Sequence, residues 1–144
     1  MRWMTMGVLA LVVAGCASGQ VTTASPNQDA IDRQFGPPPA GMAAVYFYNP
    51  AASGSAVNVM AGAMVVGQLA PKSWMRIALS PGWHAMRCIT TDSANPSSIT
   101  LAAGDIRYVD VEMPAGAQAC TIRETGVGAG RAGVLAGSRI TPPG

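Results

Sequence analysis

The residues best suited to nucleophilic chemistry in this chain are Ser80, His84 and Cys88. His84 is the only histidine, so it would have to act as the base for Ser80 or Cys88. Each of these partners lies four positions from His84. On one strand this spacing corresponds to about 13 Å at a rise of ~3.3 Å per residue, beyond hydrogen-bond reach. We therefore interpret His84 as a partly buried strand residue and expect no catalytic centre.

Metal and acid–base chemistry are equally poorly supported. The histidine and cysteines form neither a C-x-x-C nor an H-x-x-x-H spacing, so we expect no metal and no other cofactor. Asp110 and Glu112 share one face of a predicted strand, but carboxylates are usually exposed, and we expect them at the surface. Residues 126–130 are glycine-rich, yet the Lys-Ser/Thr ending of a phosphate loop is missing.

The first sixteen residues have the layout of an export signal. One basic residue, Arg2, precedes an apolar stretch of about 10–12 residues, which is shorter than the ~20 that a membrane-spanning helix needs. Residues 1–15 are therefore predicted to be a signal peptide. The segment Val13-Ala14-Gly15-Cys16 resembles the lipobox of bacterial lipoproteins. This resemblance implies cleavage before Cys16, diacylglycerol on its thiol and acylation of the new N-terminus.

Lipidation predicts that the protein is located in the bacterial cell envelope. Several acyl chains anchor a protein stably, whereas one holds only marginally. Ala17 rather than Asp follows the cysteine, which resembles outer-membrane sorting in enteric-type bacteria. The processed chain has eight basic and seven acidic residues, a net charge of +1. Because no run of like charge occurs, we expect no nucleic-acid partner. The expected partners are the bilayer, through Cys16, and an envelope protein or a cell-wall glycan.

Cys88 and Cys120 are the two cysteines that remain after acylation. Both fall on predicted inward-facing strand positions, and export would place them where a disulfide persists. A bond between them is the favoured interpretation. The alternative is two separate buried thiols, each packing as a small apolar side chain.

Short strand-like segments fill residues 41–124. Seven or eight of them follow one another at roughly 8–12-residue spacing, separated by Pro/Gly turns. No apolar stripe with helical spacing occurs in this region. The pattern predicts a small antiparallel all-β sandwich of the prealbumin or immunoglobulin type. The predicted strands are Ala43–Asn49, Val57–Met60, Met64–Leu69, Trp74–Ser80, Trp83–Thr90, Ser98–Ala102, Ile106–Met113 and Ala119–Glu124.

The two ends of the processed chain differ from this middle. Residues 16–40 are polar and then proline-rich, which predicts a flexible, lipidated tether with a stiff end. Residues 125–144 are rich in glycine and alanine and are predicted to be a mobile tail. The sandwich is thus expected to extend from residue 41 to residue 124.

Four segments carry a resemblance to a known group of folds: Gly41–Pro50, Val65–Leu69, Leu79–His84 and Ala103–Val109. Their order resembles small bacterial lipoproteins of a domain-of-unknown-function family, related to the PEGA and transthyretin-like (prealbumin-type) sandwiches. The resemblance implies the fold and no particular activity.

Four aromatic residues are the only indication of a ligand face. Tyr46 and Tyr48 share one side of their strand, and Trp74 and Trp83 flank a Pro-Gly turn. Exposed together, they would stack on sugar rings or hold a peptide; the alternative is ordinary core packing. The favoured hypothesis is a non-catalytic envelope lipoprotein acting as a structural or protein-interaction module. A carbohydrate- or peptidoglycan-binding module is the alternative.

Overall fold

The computed structural model describes residues 25–90 and 94–140, without the side chain of Gln28. The signal peptide and Cys16 lie outside the described residues. The described elements, in chain order, are α1 (Pro26–Asp32), β1 (Ala43–Asn49), β2 (Val57–Ala61), β3 (Met64–Leu69), β4 (Ser73–Leu79), β5 (Gly82–Ile89), β6 (Ala94–Leu101), β7 (Ile106–Glu112), β8 (Thr121–Thr125), α2 (Val127–Leu135) and β9 (Ser138–Arg139).

Two sheets pack face to face. The five-stranded sheet has the order β8-β7-β1-β4-β9, and the four-stranded sheet has the order β3-β2-β5-β6. The predicted all-β sandwich is confirmed, with nine strands in the described part rather than seven or eight. The five-stranded sheet is mixed, because β1 pairs with β7 and β4 pairs with β9 in parallel. The additional strand, β9, has two residues, too few to produce an alternating pattern.

The strand positions follow from β-branched and aromatic residues bounded by turn residues. β1 has the predicted bounds and ends before Pro50. β2 and β3 form a hairpin, in which Gly62 adopts a φ of +60°. In β5, Met86 and Cys88 are buried while Arg87 between them is exposed, as the alternation predicts.

Cys88 and Cys120 form a disulfide with a Cα–Cα distance of 6.1 Å. Cys88 belongs to β5 of the four-stranded sheet, and Cys120 immediately precedes β8 of the five-stranded sheet. Both side chains lie in the core between the sheets. The bond therefore joins the two layers of the sandwich, and the interpretation as separate thiols is excluded.

The central strand β1 is buried on both faces. All seven of its residues are buried. Val45 and Phe47 point into the core between the sheets, whereas Tyr46 and Tyr48 belong to a second cluster on the outer face of the five-stranded sheet. Something must therefore cover this outer face.

The covering elements come from both ends of the described chain. We call α1, residues 33–39 and α2 the helical layer; the residues that pack on the outer-face cluster include Phe35 and Val134. The expected tether and tail are corrected here, because α1 occupies 26–32, α2 occupies 127–135 and β9 pairs with β4. The folded unit extends from residue 25 to residue 140 within the described part.

Arg33 connects the two helices of this layer. It forms an ion pair with Asp29, one turn earlier in the chain, and donates hydrogen bonds to the backbone carbonyls of Leu135 and Gly137. The carbonyls at the end of a helix have no partner within it, and a guanidinium is a favourable one. Arg33 thus caps α2 from the other end of the chain.

Glycines allow α2 to lie directly on tyrosine rings. A Cβ added at Gly130 would lie 2.2 Å from Cγ of Tyr108, and one at Gly133 would lie 2.3 Å from a ring carbon of Tyr48. Gly128, in the same helix, has no atom within 4 Å of such a Cβ. The glycine content of this segment thus serves close packing.

Gly130→Ala is expected to destabilise the protein by about 1–3 kcal/mol, because the new methyl group collides with Tyr108. The matched control Gly128→Ala should stabilise it by roughly 0.5–1 kcal/mol, since alanine favours the helix and meets no neighbour. Urea unfolding of both variants measures the two changes. Effects of the same sign would contradict the packing of α2 on the sheet.

Candidate functional site

The four aromatic residues expected to form a ligand face are not assembled on one surface. Tyr46, Tyr48 and Trp74 are buried beneath the helical layer. Trp83 lies on the other sheet and is 67% exposed. The predicted aromatic ligand face is therefore corrected: three of its members pack inside the protein because chain segments outside the expected sandwich cover them.

The protein's own arginines stack on these rings. The guanidinium carbons of Arg33 and Arg139 lie 5.8 and 6.0 Å from the ring centroid of Trp74. That of Arg76 lies 5.5 Å from the ring of Tyr46. Such cation–π contacts gain strength when water is excluded. A ring face that already holds a guanidinium is closed to a sugar or peptide.

The tyrosine hydroxyls of this cluster are bonded within the protein. Tyr46 donates to the backbone carbonyl of Asp32 at 2.8 Å, and Tyr48 shares a hydrogen bond with Thr125. Tyr108 accepts one from Arg131. Burial raises the pKa of Tyr46 to about 12, and burial also raises the pKa of Tyr48. These hydroxyls thus have a structural role.

Alkaline pH should destabilise the protein through Tyr46. An unfolded tyrosine ionises at a pKa of 10.0 and folded Tyr46 at about 12. The tyrosine therefore loses its proton first in the unfolded state. The contribution of Tyr46 to the free energy of unfolding is fully present below pH 10 and falls as the pH rises to 12. A pKa difference of this size corresponds to roughly 2–3 kcal/mol. Urea unfolding from pH 9 to 12 measures this loss, and Tyr46→Phe should make it shallower. An unchanged slope in that variant would contradict the burial of the hydroxyl.

His84 and Cys88 form no nucleophile–base pair. Cys88 is in the disulfide. The expected separation of about 13 Å is wrong for Ser80, because the chain turns between β4 and β5 and Nε2 of His84 lies 2.7 Å from the backbone carbonyl of Ser80. His84 is half-buried on its strand. Across the described residues, no group of three or more His, Cys, Asp or Glu side chains is placed to hold a metal ion.

Asp110 is buried, contrary to the expected surface position. Its carboxylate accepts a hydrogen bond from Arg123 at 3.3 Å, and burial raises its pKa above the usual value. Glu112, two residues further along β7, is half-buried. The sequence placed both on one strand face but did not reveal that the helical layer shields one side of this sheet.

A small cavity, here called the arginine cavity, opens beside the helical layer. Its volume is about 170 Å³. Asp32 is buried there and pairs with two largely buried arginines: its Oδ2 lies 2.7 Å from Nε of Arg139, and its Oδ1 lies 3.6 Å from Nη1 of Arg76. The residues that line the cavity are Asp32, Pro39, Ala44, Arg76, Ile77, Ala78 and Arg139.

Some N–H groups of the two arginines in this cavity have no hydrogen-bond acceptor among the described residues. Nη2 of Arg76 donates to the carbonyls of Gly36 and Pro37, but its buried Nε has no acceptor. The terminal nitrogens of Arg139 also have none among the described residues. Two guanidiniums and one carboxylate give a net charge of +1. A buried donor without an acceptor costs about 1–3 kcal/mol.

The outer face of the four-stranded sheet has no covering layer in the described structure. We call it the open sheet face. Val65, Met60 and Arg87 lie side by side on β3, β2 and β5, and Trp83 lies further along β5 on the same side. Val65 is 56% exposed. Arg87 contacts Sδ of Met60 at 3.8 Å and has no carboxylate partner within the described ranges.

Comparisons with known proteins give no information about the function of this chain. No known family model and no curated protein sequence matches the chain. In the part that the structure describes, no helix combines the length and apolar character needed to cross a membrane.

Proposed function

We propose that this chain is a lipid-anchored protein of the bacterial cell envelope whose sandwich is a non-catalytic protein-interaction module. The role as an interaction module is supported by the contrast between the two sheets. The helical layer covers the outer face of the five-stranded sheet, whereas the four-stranded sheet has an open face on which Trp83 is exposed. An exposed large aromatic residue is typical of an interaction surface.

Export is supported by two independent features. Val13-Ala14-Gly15-Cys16 resembles a lipobox, and the Cys88–Cys120 disulfide suits an oxidising compartment. Ala17 favours the periplasmic face of the outer membrane as the destination. No more than nine residues, 16–24, separate the acylated end from the first described residue. A span of about 32 Å is their upper limit at ~3.6 Å per residue, so the sandwich would stay close to the bilayer.

The resemblance to PEGA and transthyretin-like sandwiches remains part of this proposal. The two-sheet architecture of residues 43–125 suits it. The helical layer, built from the segments on either side, is an addition to a sandwich core of that kind.

The partner that fits the open sheet face is a protein with an apolar surface that includes a carboxylate. Met60, Val65 and Trp83 offer apolar contact, and Arg87 supplies one unpaired positive charge among them. A carboxylate opposite Arg87 would neutralise this charge as water is excluded. A glycan offers no such charge unless it is acidic, and three of the four aromatic residues expected to stack on sugars are buried.

The cellular product should begin at Cys16 and carry acyl groups. Intact-mass spectrometry of protein from the membrane fraction measures this. Cys16→Ser should leave a full-length, unacylated precursor, because the thiol that accepts diacylglycerol is missing. The control pair Cys88→Ser and Cys120→Ser should keep the lipid. Retention of Met1 in the wild-type product would contradict the proposed anchor.

The open sheet face should contact its partner in living cells. A photoreactive amino acid at position 65 should crosslink to an envelope protein, whereas one at position 135 should not, although Leu135 is similarly exposed at 54%. Arg87→Glu should reduce the crosslink at least about fivefold, since it places like charges opposite each other. The control Arg131→Glu, on the helical layer, should not.

Equal crosslinking from both positions, or insensitivity to Arg87→Glu, would contradict the proposed surface. Crosslinks only to a second copy of the chain or to cell-wall glycan would replace the proposed partner with that one.

A further inference from the structure

We propose that the arginine cavity binds a small phosphate-type oxyanion. Arg76 and Arg139 flank the same buried carboxylate of Asp32, which lies 2.7 Å from one guanidinium and 3.6 Å from the other. The site lies beside the helical layer, on the opposite sheet from the open sheet face. This inference therefore goes beyond the proposed interaction and does not depend on it.

The charge of the cavity favours an anion. Asp32 neutralises one of the two guanidiniums and leaves one positive charge. Asp32 also holds both arginines in place before any ligand binds. Stacking of Arg139 on Trp74 restricts its guanidinium further, and stacking on Tyr46 does the same for Arg76. Donors fixed in advance bind with less loss of conformational freedom.

The donors that remain are those that an oxyanion needs. The terminal nitrogens of Arg139 have no hydrogen-bond acceptor among the described residues. A guanidinium presents planar, paired N–H groups that match phosphate or carboxylate oxygens. Chloride would accept these bonds less well because it lacks separate oxygen atoms.

The size of the cavity limits the ligand. A volume of about 170 Å³ is several times the ~30 Å³ that one water occupies in the liquid. It therefore accommodates a single phosphate group. Ala78 is exposed at the rim, and Pro39 and Ile77 contribute apolar walls. The phosphate could be free in solution or belong to a phospholipid headgroup.

The test uses the processed protein purified from its membrane fraction in neutral detergent. Inorganic phosphate is titrated against chloride at matched ionic strength, with calorimetry and the unfolding midpoint as readouts. We expect saturable binding and a rise in the midpoint with phosphate only. Arg139→Gln should weaken binding at least about tenfold, and Arg139→Lys should weaken it less, because lysine keeps the charge but loses the paired donors.

Two further variants separate binding from folding. Arg131→Gln removes an exposed arginine of α2 outside the cavity and should leave binding unchanged. Ala78→Leu narrows the cavity without altering any charge and should weaken binding even if Arg139→Gln folds poorly. Unchanged phosphate binding in Arg139→Lys and Ala78→Leu would overturn the proposal.

Two soluble headgroups identify the source of the phosphate. Glycerophosphoglycerol carries a net negative charge, and glycerophosphocholine is the zwitterionic control. Binding of glycerophosphoglycerol at least as tight as that of inorganic phosphate, and lost in Arg139→Gln, assigns the site to an anionic lipid. Binding of inorganic phosphate alone, with the same loss, assigns it to the free ion. If neither binds above the control, the proposal is wrong.

Discussion

The outer face of the five-stranded sheet must be kept out of water, and much of the remaining structure follows from this constraint. Tyr46, Tyr48, Trp74 and Tyr108 line that face, and each large aromatic side chain buries some 150–250 Å². No second sheet is available on this side, because the four-stranded sheet packs against the opposite face. Segments from both ends of the described chain supply the cover, so β1 is buried on both sides.

The covering layer has to be amphipathic in a particular way. Tyrosine rings are apolar, but their hydroxyls need partners, which a backbone carbonyl, Thr125 and Arg131 supply. Arginine suits such a layer because its flat guanidinium stacks on a ring while its edge donates hydrogen bonds. The requirement for cover thus brings several arginines to one side of the molecule. In the arginine cavity, two of them share a single carboxylate.

Most strands were predictable because alternation and turn residues are local signals. Seven of the eight predicted strands lie within two residues of their expected bounds, whereas β6 begins four residues before its expected start. The helical layer was not predicted, because the pattern that indicates it is divided between two distant segments of the sequence. Residues 45–48 form a continuous apolar run, which is typical of a strand buried on both faces. Gly126, Gly130, Gly133 and Gly137 recur at intervals of four, three and four, which matches one face of a helix. Read together, these two patterns indicate a helix packed on aromatic rings, whereas composition alone indicated a mobile tail.

The candidate cavity was beyond sequence reasoning for a related reason. Asp32 precedes the strands, Arg76 lies in β4 and Arg139 follows α2, so no short motif contains them. A fragment cut at the predicted boundaries, 41 and 124, would keep only Arg76 of the three. It would also expose the tyrosine face that the helical layer covers, and an apolar surface of that size favours aggregation. The segments that resemble linkers by composition therefore complete both the fold and the cavity, since the sheet's outer face and the buried carboxylate of Asp32 each require groups from both ends of the described chain.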